Sequence, residues 1–63
     1  MKITIQNEGT ICLLDPKDES AAQWLRDNLD PAGITWGPAH VVEPRYVDAI
    51  VAGFVAAGGE VVQ

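Results

Sequence analysis

Alternating polar and apolar residues at the start of the chain predict a pair of β-strands. Residues 2–6, Lys-Ile-Thr-Ile-Gln, have the period of a strand with one buried face, and their two isoleucines are predicted to face inward. Residues 7–9, Asn-Glu-Gly, have the composition of a turn. Residues 10–14 are predicted to return as a second strand, in which Cys12 faces opposite to Ile11 and Leu13. The chain is therefore expected to open with a β-hairpin.

Apolar residues at helical spacing predict two helices. The first is expected from an N-cap at Asp15 or Asp18 to about Leu29, because a proline follows shortly afterwards. The second is expected to begin at Pro44, a residue favoured in the first turn of a helix, and to end at the Gly-Gly pair 58–59. In the first helix, one face is predicted to hold Ala21, Trp24, Leu25, Asn28 and Leu29; in the second, the predicted buried stripe is Tyr46, Val47, Ile50, Val51 and Phe54.

Three short strands complete the predicted order ββαββαβ, at residues 34–36, 39–42 and 60–62. Antiparallel strands with both helices on one face would form a two-layer α+β sandwich with a small antiparallel sheet. The other face of that sheet would be open to water or to a partner. A chain of 63 residues has room for one domain, spanning residues 1–63.

Composition removes several classes of protein. The chain is 48% apolar and 21% charged, which is not the composition of a disordered segment. One Cys and one His do not provide a disulfide framework or a metal site, and no motif indicates a cofactor. The longest uncharged run, residues 49–59, is shorter than the roughly 20 residues of a membrane span. The features of a signal peptide are missing and the one Cys has no pairing partner, so we expect a cytoplasmic protein.

Candidate catalytic groups are few. His40 lies in a predicted strand with no nucleophile or carboxylate at a recognised spacing, so a structural or surface role is favoured over catalysis. Cys12 has few cations that could activate it, which favours a packed structural thiol. A chain this short is also not expected to build a cleft of roughly 300 Å³ or more. The sequence therefore predicts a protein that is not an enzyme.

An excess of carboxylates is the strongest chemical feature. Nine Asp and Glu against four Lys and Arg give a net charge of −5, which repels nucleic acid and attracts a basic protein surface. The charge could serve solubility alone, or it could imitate the phosphates of a duplex. Trp36 could lie at the edge of the core or act as a contact anchor. The candidate partner-binding residues are Glu19, Asp27 and Asp30 on the outer face of the first helix, with Glu8, Glu43 and Asp48.

Four segments carry a resemblance to a family of very short proteins of bacterial phages and mobile elements. The most specific is Val-Val-Glu-x-Arg-Tyr at the start of the second helix, followed by Gly-Gly-x-Val; many relatives are expected to have His where Pro44 stands. The segments are Ile3–Gly9, Leu13–Pro16, Ala21–Leu25 and Val41–Tyr46. In size and acidity the chain also resembles anti-CRISPR proteins that act on type I systems.

The resemblance implies an inhibitor with no catalytic residue. It would bind, as a monomer, a DNA-recognising subunit of a type I interference complex and block target DNA by acidic mimicry. It implies a protein partner with a basic surface, and neither direct nucleic-acid binding nor membrane association. The alternative is a phage structural or assembly module that pairs through its open sheet face or edge strand, since exposed strand edges invite pairing.

Overall fold

The computed structural model describes residues 1–62 and contains the predicted elements in the predicted order. They are β1 (Lys2–Asn7), β2 (Cys12–Pro16), α1 (Glu19–Asn28), β3 (Thr35–Trp36), β4 (Ala39–Val42), α2 (Pro44–Ala56) and β5 (Glu60–Val61). The fold class, α+β with the order ββαββαβ, is confirmed.

The five strands form one sheet in the order β3-β4-β2-β1-β5. The pairs β1–β2, β2–β4 and β3–β4 are antiparallel, as expected, but β5 pairs with β1 in parallel. The sheet is therefore mixed, and the prediction of a wholly antiparallel sheet is wrong in this strand. The reason is the crossover: the 13-residue helix α2 carries the chain back along the sheet, so that β5 starts at the same end as β1.

Both helices pack on one face of the sheet, around a single apolar core. Ile3 and Leu14 from the sheet meet Leu25 of α1 and Phe54 of α2, and all four side chains are fully buried. The Trp24 ring packs edge-on against the Phe54 ring, with 5.2 Å between centroids, and so joins the two helices.

The register of the hairpin decides which face of β2 enters this core. Ile5 pairs with Leu14, which places Leu14 on the same side as Ile3 and Ile5. Ile11 and Leu13 share a face opposite to Cys12, as predicted, but theirs is the outer face. Cys12 is buried and free, as expected of a structural thiol.

Asp18, the second of the two predicted N-caps, begins α1. Its carboxylate accepts the Ala21 backbone N–H at 2.8 Å, which satisfies one donor that the first helical turn leaves free, and it also accepts the Ser20 hydroxyl at 3.0 Å. The Ala21 hydrogen bond is the main reason that the pKa of Asp18 lies below its ordinary value of 3.8.

The second helix begins at Pro44, as predicted, and ends in a Schellman motif. Gly58 has a φ of +97°, the Gly59 N–H donates to the Phe54 carbonyl at 2.8 Å, and the Gly58 N–H donates to the Val55 carbonyl at 3.0 Å. The predicted buried stripe is wrong at Tyr46, which is 50% exposed. Tyr46 lies in the first turn of α2, outside the core cluster.

The two glycines that approach aromatic rings should respond oppositely to alanine. A methyl group at Gly59 would overlap the buried Phe54 ring, whereas one at Gly53 would meet Trp24 at 3.6 Å, an ordinary contact distance. We expect Gly59→Ala to lower the free energy of unfolding by about 1–3 kcal/mol. Gly53→Ala should raise it by up to about 1 kcal/mol, because alanine is the better helix former. Urea unfolding of both variants tests this, and equal stabilities would contradict the packing at Gly59.

The helix cap should make stability depend on pH in the acid range. A carboxyl with a lowered pKa stabilises the fold above its unfolded pKa, and that contribution is lost as the pH falls through the folded pKa. Asp18→Asn keeps a capping side chain that does not titrate. The wild type should therefore lose unfolding free energy relative to this variant as the pH is lowered from 6 to 2. A difference that is constant over this range in urea titrations would contradict the assignment.

Candidate functional site

Local ion pairs neutralise part of the acidic surface. In residues 1–62, three of the four Lys and Arg side chains contact a carboxylate that is near in sequence or on the same helix. All three pairs are largely exposed to solvent, so each contributes little to stability. Two predicted partner-binding residues, Glu19 and Glu43, therefore already have a cationic neighbour. The pairs are Lys17–Asp15 at 3.0 Å, Arg26–Glu19 at 2.8 Å and Arg45–Glu43 at 3.1 Å.

The outer face of α1 holds two of the three acids predicted there. Glu19 and Asp27 lie on this helix, where the Gln23 amide donates to Asp27 at 2.8 Å. Asp30 does not, because α1 ends at Asn28 and its C-cap is Leu29. The Asp30 carboxylate instead accepts the Ala32 backbone N–H at 2.9 Å in the loop that follows. The prediction of three acids along one helix face is wrong at this residue.

Two other predicted partner-binding residues, Glu8 and Glu43, directly follow strands that end at the same end of the sheet. Asn7 and Val42 pair with Cys12 from opposite sides, and the next residues along the chain are Glu8 and Glu43. Two strand spacings separate these positions, or roughly 10 Å. Asp30 reaches the same region, because it lines a groove together with Glu43. We call Glu8, Asp30 and Glu43 the acidic end.

The other three predicted residues lie apart from the acidic end. Glu19 is in the first turn of α1, at the far end of that helix from Asp30. Asp27 lies on the exposed face of α1. Asp48 is exposed on α2 and, at 100° per residue, points away from Ala49 and Tyr46, which line the groove. The structure thus divides the six predicted residues into one group of three and three dispersed ones.

A surface groove of about 420 Å³ opens beside the acidic end. It lies between the loop after α1, strand β4 and the first turns of α2, where the two-residue strand β3 leaves part of β4 uncovered. Leu29, Ile34 and Ile50 contribute apolar surface, while Asp30 and Glu43 contribute carboxylates. The expectation that a chain of this length builds no cleft is wrong.

His40 lies on β4 and lines both this groove and a smaller adjoining one of about 300 Å³. Partial burial, and then the positive charge of Arg26, hold the pKa of His40 below its ordinary value of 6.5. The imidazole is therefore neutral at pH 7. No side-chain hydrogen bond joins His40 to a nucleophile or a carboxylate within residues 1–62, and Cys12 lies buried in the sheet.

The groove offers shape, apolar contact and negative charge to a bound molecule. Within the described part of the chain, no group of three or more His, Cys, Asp and Glu residues is arranged to hold a metal ion. Neither α1 nor α2 has the length and apolar composition needed to cross a membrane. The arrangement is suited to the docking of a partner that combines apolar and basic groups.

No protein-family model, curated protein or solved structure matches this chain. The surface itself is therefore the guide to function.

Sequence reasoning did not identify the groove. The helical pattern places Tyr46 in the core, but the structure places it at the edge of the groove. The Arg45 guanidinium lies over the Tyr46 ring, with 4.9 Å between the guanidinium carbon and the ring centroid. Ile34 was assigned to a strand without a site, and it is 64% exposed. The early stop of the first helix at the Asp-Pro pair 30–31 was the available signal, because a loop at that point leaves the end of β4 uncovered.

The neutral state of His40 can be tested by NMR. We expect the imidazole protons of His40 to titrate with a pKa below 6.5, and Arg26→Gln to raise that pKa because it removes the second cause of the shift. Lys17→Gln removes a cation that is paired with Asp15 instead, and it serves as the control. If Arg26→Gln leaves the pKa unchanged while Lys17→Gln moves it, the electrostatic assignment is wrong.

Proposed function

We propose that the protein is a non-enzymatic inhibitor that binds a basic, nucleic-acid-binding protein and blocks its access to DNA. In its most specific form the target is a DNA-recognising subunit of a type I CRISPR interference complex, and the protein acts as an acidic mimic of DNA. The observation that carries the proposal is the acidic end, where Asp30 and Glu43 line an apolar groove and Glu8 follows the neighbouring strand end of the sheet.

Charge supplies the long-range part of this recognition. The net charge of −5 gives the molecule a field that accelerates its encounter with a basic groove and that repels nucleic acid. Asp30 has no ion-pair partner among residues 1–62, so its charge is available to a cation of the partner. Such a complex should weaken as salt screens the exposed charges.

Apolar contact supplies the short-range part. Ile34 and Tyr46 are both at least half exposed and line the groove next to the carboxylates. Large apolar side chains ringed by polar groups are typical of protein interfaces and not of surfaces that only keep a protein in solution. This combination favours a protein partner over a freely diffusing cation.

Charge reversal at matched positions tests the proposal. One variant carries Glu8→Lys, Asp30→Lys and Glu43→Lys, which removes the acidic end. The control carries Glu19→Lys, Asp27→Lys and Asp48→Lys, the three predicted acids that lie elsewhere. Both changes take the formal charge from −5 to +1, since three carboxylates become three cations. Any difference between the two variants therefore reports position and not net charge.

The measurement is binding of target DNA by purified type I interference complexes, with each variant added as a competitor at low and high salt. We expect the wild type to inhibit DNA binding, the control to retain inhibition, and the acidic-end variant to lose at least about tenfold in affinity, a change of about 1.4 kcal/mol. Circular dichroism must show that both variants fold. A wild-type protein that leaves DNA binding unchanged in the complexes tested would overturn the proposal.

A further inference from the structure

The face of the sheet opposite the helices is uncovered. Leu14 and Val42 face the core, so by strand alternation Leu13 and Val41 face outward, and these two residues pair directly across β2 and β4. Neither α1 nor α2 packs on this side, since both contribute to the one core on the other side. We call this surface the open face.

The half of the open face that belongs to β2, β3 and β4 is mainly apolar, and its carboxylate, Asp15, is paired with Lys17. Trp36, which pairs with Ala39 on the edge strand β3, is 56% exposed. Leu13 and Val41 are partly exposed beside it, and Ile11 precedes β2 on the same side. An exposed Trp at the side of an aliphatic row has the composition found at the centre of protein interfaces.

The other half, on β1, is polar and carries opposite charges at its two ends. Lys2, Thr4 and Gln6 alternate with the buried Ile3 and therefore face outward. The Gln6 amide donates to the Glu8 carboxylate at 2.8 Å, which holds that carboxylate near the outer end of the same strand. Lys2 thus stands at the start of β1, beside Glu60 of β5, and the Glu8 carboxylate stands just beyond the end of β1.

We propose that the open face binds a second copy of this chain. The two copies are related by a two-fold axis that lies between their open faces, at right angles to the strands. This symmetry stacks β1 of one copy on β1 of the other, with the two strands running in opposite directions. Lys2 of each copy then lies over Glu8 of the other, and the apolar half of each face covers the apolar half of its partner. The pattern is self-complementary in both charge and hydrophobicity, as an interface between identical surfaces requires.

The size of the open face is compatible with the binding of a second copy. A stable interface buries roughly 800 Å² on each partner, which is about a fifth of the 3987 Å² of accessible surface here. One side of a five-stranded sheet offers a surface of that order on a molecule with extents of 27 × 19 × 18 Å.

The distribution of charge also permits self-association despite the net charge of −5. Of the carboxylates on the open face, Asp15 is paired with Lys17 at 3.0 Å, Glu60 of β5 lies beside Lys2 of the same chain, and Glu8 faces Lys2 of the second copy. Asp30 and Glu43 remain at the groove. A monomer is the expectation from the sequence, whereas the placement of the charges in the fold favours a dimer.

The test uses two exposed apolar residues that differ in position. Trp36→Glu places a charge within the apolar half of the open face, whereas Val55→Glu places one on α2 at a residue that is 53% exposed. Sedimentation equilibrium should give a wild-type mass that rises from 6.7 towards 13.4 kDa, twice the chain mass, with increasing concentration. We expect Val55→Glu to behave like the wild type and Trp36→Glu to raise the dissociation constant at least about tenfold.

A charge exchange tests the orientation. Lys2→Glu and Glu8→Lys should each weaken the dimer by bringing like charges together, and the double variant should restore it. The dimer should persist at 0.5 M NaCl because its centre is apolar, whereas a carboxylate-mediated complex with a basic partner should weaken. Because Glu8 belongs to both surfaces, this difference in salt dependence, together with Trp36→Glu, separates the failure of one proposal from the failure of the other.

Three results would overturn the dimer. The first is a wild-type mass that stays at 6.7 kDa up to about 1 mM, a concentration at which an interface of this size should be populated. The second is a folded Trp36→Glu variant that dimerises as tightly as the wild type, and the third is a double charge-exchange variant that dimerises no more tightly than the single variants.

Discussion

The other parts of the structure depend on the contacts of Phe54. Its side chain is fully buried and its ring meets Trp24 of α1, while its backbone carbonyl accepts the Gly59 N–H that ends α2. The turn at Gly58 and Gly59 then directs the chain into β5 beside β1. One residue therefore fixes the distance between the helices, the end of the second helix and the start of the last strand. Any residue other than glycine at position 59 would place a Cβ atom against this ring and displace it.

A core built on one side of the sheet has consequences for the surface. A chain of this length buries only about 60% of the area that its unfolded form exposes. Two helices are enough to cover one sheet face, and the other face keeps Trp36, Leu13 and Val41 in contact with solvent. The short strand β3 likewise leaves the end of β4 open, which creates the groove. Both candidate interaction surfaces thus follow from the limited number of residues available to enclose the core.

The two surfaces differ in the forces that they offer. The acidic end combines three carboxylates with a groove and favours a basic partner at low salt. The open face is mainly apolar in one half and carries charges of both signs in the other, which favours contact with an identical surface. In a dimer of the kind proposed, Asp30 and Glu43 of both copies would stay accessible. Such a dimer would present the Asp30 and Glu43 carboxylates of both copies to its partner, while Glu8 would lie in the dimer interface.

The sequence by itself determined the elements, their order and most of the core. Alternation in residues 2–6 and the helical spacing from Ala21 to Leu25 are local patterns, and local backbone preferences are enough to interpret them. The tertiary structure decided what depends on register and on chain direction. It showed that Leu14 and not Leu13 faces the core, that β5 is parallel to β1, and that Tyr46 is exposed. It also grouped Glu8, Asp30 and Glu43, because residues far apart in the chain become neighbours only when strand pairing and helix ends are fixed.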